Sequence, residues 1–428
     1  MNGIPSGRAA RRTIQQQSPP PATPSGTTEQ IQEPTMSDPI VIVSAVRTPM
    51  GGLMGDFASL TAGQLGAAAI RAAVERAGLA PGDVEEVIMG NVLPAGQGQA
   101  PARQAALGAG LPLGAHCTTV NKMCGSGMKA IMLAHDLLRA GNGDVIVAGG
   151  MESMSNAPYL LQKARGGYRL GHGELKDHMF LDGLEDAYDK GRLMGTFAEE
   201  CADKYGFSRA AQDEFALRSL SRAVAAIEGG NFKDEIAPVT VAGKKGDLLI
   251  AVDEQPGKAM PEKIPALKPA FRKDGTVTAA NSSSISDGAA AVVLMRESEA
   301  RARGLTPLAR IVGHASHAQE PGWFTTAPVG AMKKLFEKTG WSAESVDLYE
   351  INEAFAVVAM AAMHELALPA DKVNVHGGAC ALGHPIGASG ARIVATLIHA
   401  LRQYGKRRGV ASLCIGGGEA TALALELC

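Results

Sequence analysis

Short runs of apolar residues alternate with polar segments along the chain, and their spacing predicts both strands and helices. The predicted elements are a strand over 40–43, a helix over 67–77 that ends at Gly78, an apolar stretch over 84–89, a helix over 128–138 that ends at Gly141, a strand over 145–148 and a turn at Gly149 and Gly150. The first strand is β-branched throughout, which is typical of a strand buried on both faces of a sheet. This alternation predicts an α/β fold with a mostly parallel sheet flanked by helices.

The second half of the chain repeats the first at an offset of about 262 to 265 residues. The matching pairs at this offset are Gly78 with Gly340, Ser126 with Ser389 and Leu138 with Leu401, and the segment 145–150 resembles 411–417, one or two residues further along. A repeat of this length predicts two related α/β halves, and their junction is a natural place for a site built from both. The charged insertion between the halves contains one amphipathic segment around 212–227, and we expect this insertion to cover a ligand.

The first 38 residues differ from the rest of the chain. They contain a proline triplet at 19–21 and few large apolar residues, which predicts disorder. Arg8, Arg11 and Arg12 also suit an organelle transit peptide, and Met36 is an alternative start. The predicted organisation is an extension over 1–38, an N-terminal half over 39–151 plus 276–306, a loop domain over 152–275 and a C-terminal half over 307–428.

Composition and charge exclude several functional classes. The 428 residues include 41 Lys and Arg against 43 Asp and Glu, so electrostatic binding to nucleic acid is not expected. No apolar run reaches the roughly 18 residues that a membrane-spanning helix needs. The six cysteines are too few for a disulfide framework, and none has CxxC spacing. We therefore expect a cytoplasmic protein, or a mitochondrial matrix protein if the extension is a transit peptide.

Cys124 is the first candidate for chemistry. It lies at the start of the predicted helix over 128–138. A helix N-terminus presents free N–H groups and positive potential to the sulfur, which favours a nucleophilic thiolate. The alternative is a small buried cysteine with a packing role.

The second half supplies three further candidates. His384 lies in a glycine-rich loop before the duplicate helix, so the repeat brings it to the same interface as Cys124. Cys414 ends the last apolar strand, and the N–H groups of the glycines that follow it can stabilise an anion. Asn352 lies at a strand-to-helix transition. The alternatives are a structural histidine, a strand-core cysteine and a helix N-cap. The GxGxxG pattern of dinucleotide-binding proteins is absent here.

Together these motifs resemble the thiolase family. The matching segments are 121–127, 352–355, 383–385 and 414–418, and the likeness extends from about Pro39 to the C-terminus. The resemblance implies duplicated α/β halves in a five-layer α-β-α-β-α arrangement with an inserted loop domain. It also implies a homodimer or homotetramer, whereas the expectation of no nucleic-acid or membrane partner comes from the charge balance and the apolar runs.

The chemistry that the resemblance implies is a Claisen exchange on coenzyme A thioesters, with no metal or redox cofactor. Cys124 would hold the acyl group, His384 would take the thiol proton, and Cys414 would act as acid and base at the α-carbon. His384 and a water held by Asn352 would form one oxyanion site. The N–H groups of Cys124 and Gly416 would form the other.

The family pattern also indicates where coenzyme A would bind. The implied contacts are Leu184, Met194, Phe271, Ala279, Ser283, Ala354 and Phe355. Core packing is the alternative for each of them. The sequence departs from the family pattern at three places: Leu193 replaces a histidine common in short-chain members, His376 replaces an asparagine, and Glu419 occupies a usual glycine position.

The expected reaction joins two acetyl-CoA molecules to acetoacetyl-CoA and CoA, or reverses this by thiolysis. A longer-chain 3-ketoacyl-CoA thiolase of fatty-acid breakdown is an alternative, because it shares the same catalytic residues. A carrier-protein-dependent ketosynthase is disfavoured because that relative has a second histidine at the position of Cys414. A non-catalytic acyl-CoA-binding protein is the alternative from a different class.

Overall fold

Strands and helices alternate along residues 38–428, which are the residues that this computed structural model describes. The strands are β1 (Ile40–Arg47), β2 (Gly51–Gly52), β3 (Glu86–Gly90), β4 (His116–Val120), β5 (Val145–Ser153), β6 (Tyr159–Leu161), β7 (Leu175–Asp177), β8 (Val239–Val241), β9 (Leu248–Ile250), β10 (Ser286–Arg296), β11 (Ala309–Ala318), β12 (Leu348–Ile351), β13 (Arg408–Ile415) and β14 (Glu419–Leu427). The α-helices are α1 (Ala62–Arg76), α2 (Pro101–Gly108), α3 (Ser126–Arg139), α4 (Met194–Tyr205), α5 (Arg209–Glu228), α6 (Glu254–Lys258), α7 (Glu297–Ala302), α8 (Ala327–Thr339), α9 (Ala356–Glu365), α10 (Ala379–Leu382) and α11 (Ser389–Gln403).

Capping residues explain where the predicted helices begin. The helix predicted over 67–77 is α1, which starts five residues earlier because Thr61 and Gln64 form a reciprocal capping box. The amphipathic segment over 212–227 is α5, which starts after Ser208, whose hydroxyl accepts the N–H of Ala211. Hydrophobic periodicity therefore located both helices, and the caps set their first residues.

The largest sheet has the strand order β12-β13-β14-β11-β1-β10-β5-β3-β4, with β2 paired to β10. Strands β1 and β11 pair only at Val41 with Arg310 and at Ile42 with Ala309, so the sheet divides there into an N-terminal and a C-terminal half. The prediction of a mostly parallel sheet is wrong. Among residues 38–428 only β3–β4, β3–β5 and β12–β13 are parallel strand pairs. Strand β14 returns directly from β13 through a short glycine turn, and such a hairpin is necessarily antiparallel.

Buried side chains show that the helices and the two sheet halves form five layers. One core joins α3 and α11 to the inner faces of both halves, with Ile131, Ile393, Ile146 and Leu413 among its members. A second core lies between the N-terminal half and helices α1 and α2. A third lies between the C-terminal half and helices α8 and α9. The expected five-layer arrangement is confirmed.

The duplication is also visible in the structure. Helices α3 and α11 start at the matched residues Ser126 and Ser389. The order β1-β10-β5-β3 in the first half corresponds to β11-β14-β13-β12 in the second. A parallel bridge between Tyr349 and Val373 occupies the position that β4 has beside β3. The two inner helices touch at their first turns, since a side chain at Gly127 would lie 2.8 Å from the backbone nitrogen of Ala391.

The predicted turn at Gly149 and Gly150 is wrong, because both glycines lie inside the buried strand β5. Their small size serves a close approach instead. A Cβ atom at Gly150 would overlap the backbone carbonyl of Gly387, which belongs to the loop that carries His384. Gly150 therefore brings the C-terminal half against the central strand of the N-terminal half.

Replacing Gly150 by alanine is expected to lower the free energy of unfolding by about 3 kcal/mol, because the overlapped atom is backbone and cannot rotate away. Chemical denaturation would measure the change. Gly82→Ala is the matched control, since a Cβ there meets no atom within 4 Å and should leave stability nearly unchanged. Equal stability of the two variants would contradict the close approach.

The predicted extension over 1–38 lies outside the described residues except for Asp38, whose carboxylate accepts the N–H of Ser298 at 3.0 Å. The proposed domain boundaries stay predictions. Within residues 38–428, no helix has the length and the apolar character to cross a membrane.

Candidate active site

A cavity of about 380 Å³ opens where the two halves meet the insertion. Cys124 from the N-terminal half lies in its wall, and His384, Cys414 and Gly416 from the C-terminal half lie in the same wall. The structure therefore brings together the two sulfurs and the imidazole that the sequence placed on separate halves.

A tight turn presents Cys124 to this cavity. The backbone of Met123 has a φ of 47°, and its N–H is held by the side chain of Asn121 at 2.9 Å. Ser126, the first residue of α3, accepts the N–H of Lys122 at 2.8 Å and donates its hydroxyl to the carbonyl of Met123 at 2.6 Å. The nucleophile candidate thus occupies a constrained position just before the helix.

The resting form of Cys124 differs from the expectation of a favoured thiolate. Burial raises the pKa of its thiol to about 11, and this outweighs the N–H groups of Gly416 and of Cys124 itself, which face the sulfur and lower the pKa. Those two N–H groups are the pair expected to form an oxyanion site. Near neutral pH the residue is a thiol that requires a base.

His384 is arranged as such a base. Its Nδ1 lies 2.5 Å from the hydroxyl oxygen of Ser389, and that hydroxyl lies 3.0 Å from the carbonyl oxygen of Pro385. The single hydroxyl proton goes to the carbonyl, so Ser389 accepts the Nδ1–H of His384. The buried Nε2 keeps its lone pair and has no hydrogen-bond partner within residues 38–428. Burial lowers the pKa of His384 to about 3, and the neighbouring Arg392 adds to this effect.

Cys414 lies inside β13, one residue before its end, opposite Ala420 of β14. The expectation that it ends the last strand is therefore corrected, because β14 follows after a turn of three glycines. Burial raises the pKa of the Cys414 thiol well above its usual value, and the adjacent Cys124 adds to this effect. The sulfur atoms of Cys124 and Cys414 thus lie near each other in a part of the cavity wall that is shielded from solvent.

Asn352 is buried directly after β12 and does not line the cavity. Its Oδ1 faces the guanidinium of Arg392 at 3.5 Å, which leaves its Nδ2 without a partner among the described residues. Arg392 is held in turn by Glu350 at 3.3 Å. The N-cap alternative is excluded, since α9 begins at Ala356 and Phe355 occupies the N-cap position. The free Nδ2 is a donor that suits a bound water.

All seven residues expected to contact coenzyme A line the same cavity: Leu184, Met194, Phe271, Ala279, Ser283, Ala354 and Phe355. The rings of Phe271 and Phe355 meet edge to face with centroids 6.0 Å apart. The hydroxyl of Ser283 donates to the carbonyl of Ala354 at 3.0 Å. An apolar channel with few polar groups is typical of cofactor-sized ligands.

The three departures from the family pattern have different surroundings. Leu193 lines the cavity and makes its wall more apolar. Glu419 pairs with Lys122, which links the turn before Cys124 to the strand after the glycine turn. His376 is buried outside the cavity wall, with its Nε2 3.1 Å from the side-chain nitrogen of Asn231.

Sequence reasoning missed the anchoring role of Glu152. Its carboxylate accepts the N–H groups of Val92 at 2.9 Å, Leu93 at 3.1 Å and Gly387 at 2.8 Å, and so holds loops from both halves. Burial raises its pKa to about 7. The residue lies in the segment 149–155, which resembles the family, but nothing in that segment indicates its partners.

Other wall residues were also missed. Ile386 could have been predicted, because it directly follows the segment 383–385 that matches the family. Phe180 and Phe324 also line the cavity, but they lie in stretches without a chemical motif.

Comparisons with known proteins agree with this geometry. Residues 40–298 match the thiolase N-terminal domain, and residues 305–427 match the thiolase C-terminal domain. The acetyl-CoA acetyltransferase of Pseudomonas aeruginosa is 52% identical over 388 residues, which cover 90% of this chain and 98% of that protein. The acetyl-CoA acetyltransferase 2 of Arabidopsis thaliana is 52% identical over 392 residues, which cover 91% of this chain and 97% of that protein.

Solved structures show the same similarity. The crystal structure of the Bacillus anthracis acetyl-CoA acetyltransferase superposes with a TM-score of 0.89 at 44% identity and covers 92% of this chain and 99% of that chain. The Acat5 thiolase of Ascaris suum, solved in complex with coenzyme A, has a TM-score of 0.87 at 43% identity and covers 91% of this chain and 100% of that chain.

Proposed function

The chain belongs to the thiolase family, and on that basis we propose that it is an acetyl-CoA C-acetyltransferase, which joins two acetyl-CoA molecules to acetoacetyl-CoA and CoA and catalyses the reverse thiolysis. The observation that carries this proposal is the single cavity shared by Cys124, His384, Cys414 and Gly416. The names of the relatives, and the coenzyme A complex of one structural neighbour, support acetyl-CoA as the substrate.

The first step in this proposal is acylation of Cys124. The Nε2 of His384 takes the thiol proton as the sulfur attacks the thioester carbonyl, and the N–H groups of Cys124 and Gly416 stabilise the oxyanion. The C–S bond to coenzyme A then breaks, and the leaving thiolate takes the proton of Cys414. This leaves an acetyl group on Cys124, an imidazolium at His384 and a thiolate at Cys414.

The second step is condensation. The Cys414 thiolate removes the α-proton of a second acetyl-CoA, and the enolate oxygen is stabilised by the His384 imidazolium and a water held by Asn352. The carbanion attacks the acetyl carbonyl, and the Cys124 sulfur leaves with the proton of His384. All three side chains return to their starting forms, so the cycle is balanced in protons.

The raised pKa values of both thiols suit this cycle. Desolvation keeps Cys124 and Cys414 protonated in the resting enzyme, and it lowers the pKa of His384 so that the imidazole is neutral. Charge then develops as a pair, imidazolium with thiolate, inside the cavity, where opposite charges attract strongly. An uncharged resting site also admits the apolar acyl group and the uncharged pantetheine arm at little cost.

The length of the acyl chain separates this proposal from a longer-chain 3-ketoacyl-CoA thiolase. We expect thiolysis of acetoacetyl-CoA to exceed that of a 3-ketoacyl-CoA of eight carbons by tenfold or more in kcat/KM, because a small site discriminates by about that factor per poorly fitted methylene. Measuring both rates on one enzyme preparation provides its own control. A clear preference for the longer chain would assign the protein to fatty-acid breakdown. The apolar side chain of Leu193 in the cavity wall is the observation that favours this alternative.

We also propose, from the family resemblance, that the protein is a homodimer or homotetramer in the cytoplasm, with the mitochondrial matrix as the alternative compartment. Sedimentation of the purified chain distinguishes the two assemblies.

A further inference from the structure

Three side chains of the metal-ligating types meet outside the catalytic cavity. His135 and Asp136 lie near the end of α3, and His314 lies in β11. None of them lines the cavity. The Nδ1 of His135 is 3.0 Å from the Oδ1 of Asp136, the Nε2 of His314 is 2.9 Å from the same oxygen, and the two ring nitrogens are 3.2 Å apart.

These separations are close to those of ligands around one metal ion. Zinc binds histidine nitrogen and carboxylate oxygen at about 2.0–2.2 Å, which puts neighbouring ligands of a tetrahedral ion roughly 3.4 Å apart. The imidazole rings of His135 and His314 meet edge to face at 89°, so their nitrogens converge instead of stacking. Outward movements of a few tenths of an ångström would open the triangle to a cation.

The surroundings of the triangle also suit a cation. Both imidazoles are largely buried, and a neutral imidazole keeps a lone pair on one ring nitrogen that can bind a cation. The Asp136 side chain is 54% exposed, which gives access to solvent and room for a water ligand. Lys338 and Arg139 are the nearby positive charges and oppose a cation, but the Lys338 ammonium is held by the backbone carbonyl of His314 at 3.2 Å.

We propose that His135, Asp136 and His314 form a binding site for one divalent transition-metal cation, with water completing the coordination. Two imidazole nitrogens and one carboxylate oxygen are a donor set that suits Zn²⁺ and Ni²⁺. Helix α3 belongs to the first half of the duplication and β11 to the second, so the bound cation joins the two halves. The site stabilises the fold and takes no part in acyl transfer.

Nickel is the probe of choice for the test, used with the full chain without a polyhistidine tag. The accessible cysteines, such as the exposed Cys428, are first alkylated with iodoacetamide, so that their thiolates do not compete for the metal. Isothermal titration should give one Ni²⁺ per chain. The affinity should fall tenfold or more in His135→Gln and in His314→Gln, and stay unchanged in His172→Gln, which replaces an exposed histidine of the insertion.

Thermal unfolding supplies a second, independent measurement. Ni²⁺ should raise the unfolding temperature of the chain without substitutions and of His172→Gln, but not that of His314→Gln. The reason is that a ligand bound only to the folded state stabilises that state. If a histidine variant does not fold, Asp136→Asn decides, since this exposed side chain can be changed without disturbing the core. The proposal would be overturned if the variants bound nickel as tightly as the chain without substitutions. It would also be overturned if that chain bound no nickel at millimolar Ni²⁺.

Discussion

Replacing Cys124 by alanine is expected to abolish formation of the acyl-enzyme and to lower the rate of acetoacetyl-CoA synthesis by roughly 10⁴-fold or more. Cys124 lies in the cavity wall with the N–H groups of Gly416 and of its own backbone facing the sulfur, so the proposed cycle begins with its attack. Mass spectrometry of the intact chain after incubation with acetyl-CoA would detect the acetyl group directly.

Cys414→Ala is the informative partner of this variant. It should still acquire the acetyl group, because His384 can supply the proton for the leaving thiolate, but it should condense about 10²- to 10⁴-fold more slowly for lack of a base at the α-carbon. Cys117→Ala, which changes a cysteine outside the cavity wall, should acylate and condense normally. Acylation kept in Cys124→Ala and lost in Cys414→Ala would reverse the two roles. No acylation of the unmodified chain would favour the non-catalytic acyl-CoA binder.

Much of the fold could be predicted from the sequence, because the second half repeats the helix and strand patterns of the first. The offset that pairs Ser126 with Ser389 is confirmed, because α3 and α11 begin at these two residues, although the pattern predicted the first helix only over 128–138. Strand direction was not predictable in the same way, because antiparallel pairing of β10 with β5 depends on how the chain returns after the long insertion. Buried apolar strands look alike whether their neighbours run parallel or antiparallel.

The residues of the candidate site that belong to family motifs could be predicted from the sequence. Family motifs placed Cys124, His384 and Cys414 in one cavity, but burial, which sets their pKa values, is a property of the assembled layers and has no local sequence signal. Contacts between distant residues were also invisible. His135 and His314 are 179 residues apart and have no motif in common, although their ring nitrogens lie within 3.2 Å.

Ser389 is the residue whose role depends most on the folded geometry. It lies five residues after His384 and outside the cavity wall. Its hydroxyl accepts the Nδ1–H of the imidazole, and this keeps the lone pair of His384 on Nε2. We therefore treat Ser389 as a positioning residue for the base.

Replacing His384 by alanine is expected to slow acylation of Cys124 by about 10²- to 10⁴-fold, because the half-buried thiol, with its pKa of about 11, then has no base to take its proton. Stopped-flow release of CoA from acetyl-CoA measures this step. The loss should shrink as the pH rises from 7 towards 10, since hydroxide progressively supplies the thiolate that the base no longer generates.

Ser389→Ala should reproduce part of this loss, a fall of roughly tenfold or more in kcat with little change in KM, because an imidazole free to hold its proton on Nε2 cannot accept one there. Ser389→Thr keeps a hydroxyl and should recover most of the rate. Ser44→Ala is the matched control, since this buried hydroxyl has no hydrogen-bond partner in the described part of the chain. Full activity of Ser389→Ala would show that the hydrogen bond only supports the fold. A lower kcat with a changed KM and a lower stability would show the same.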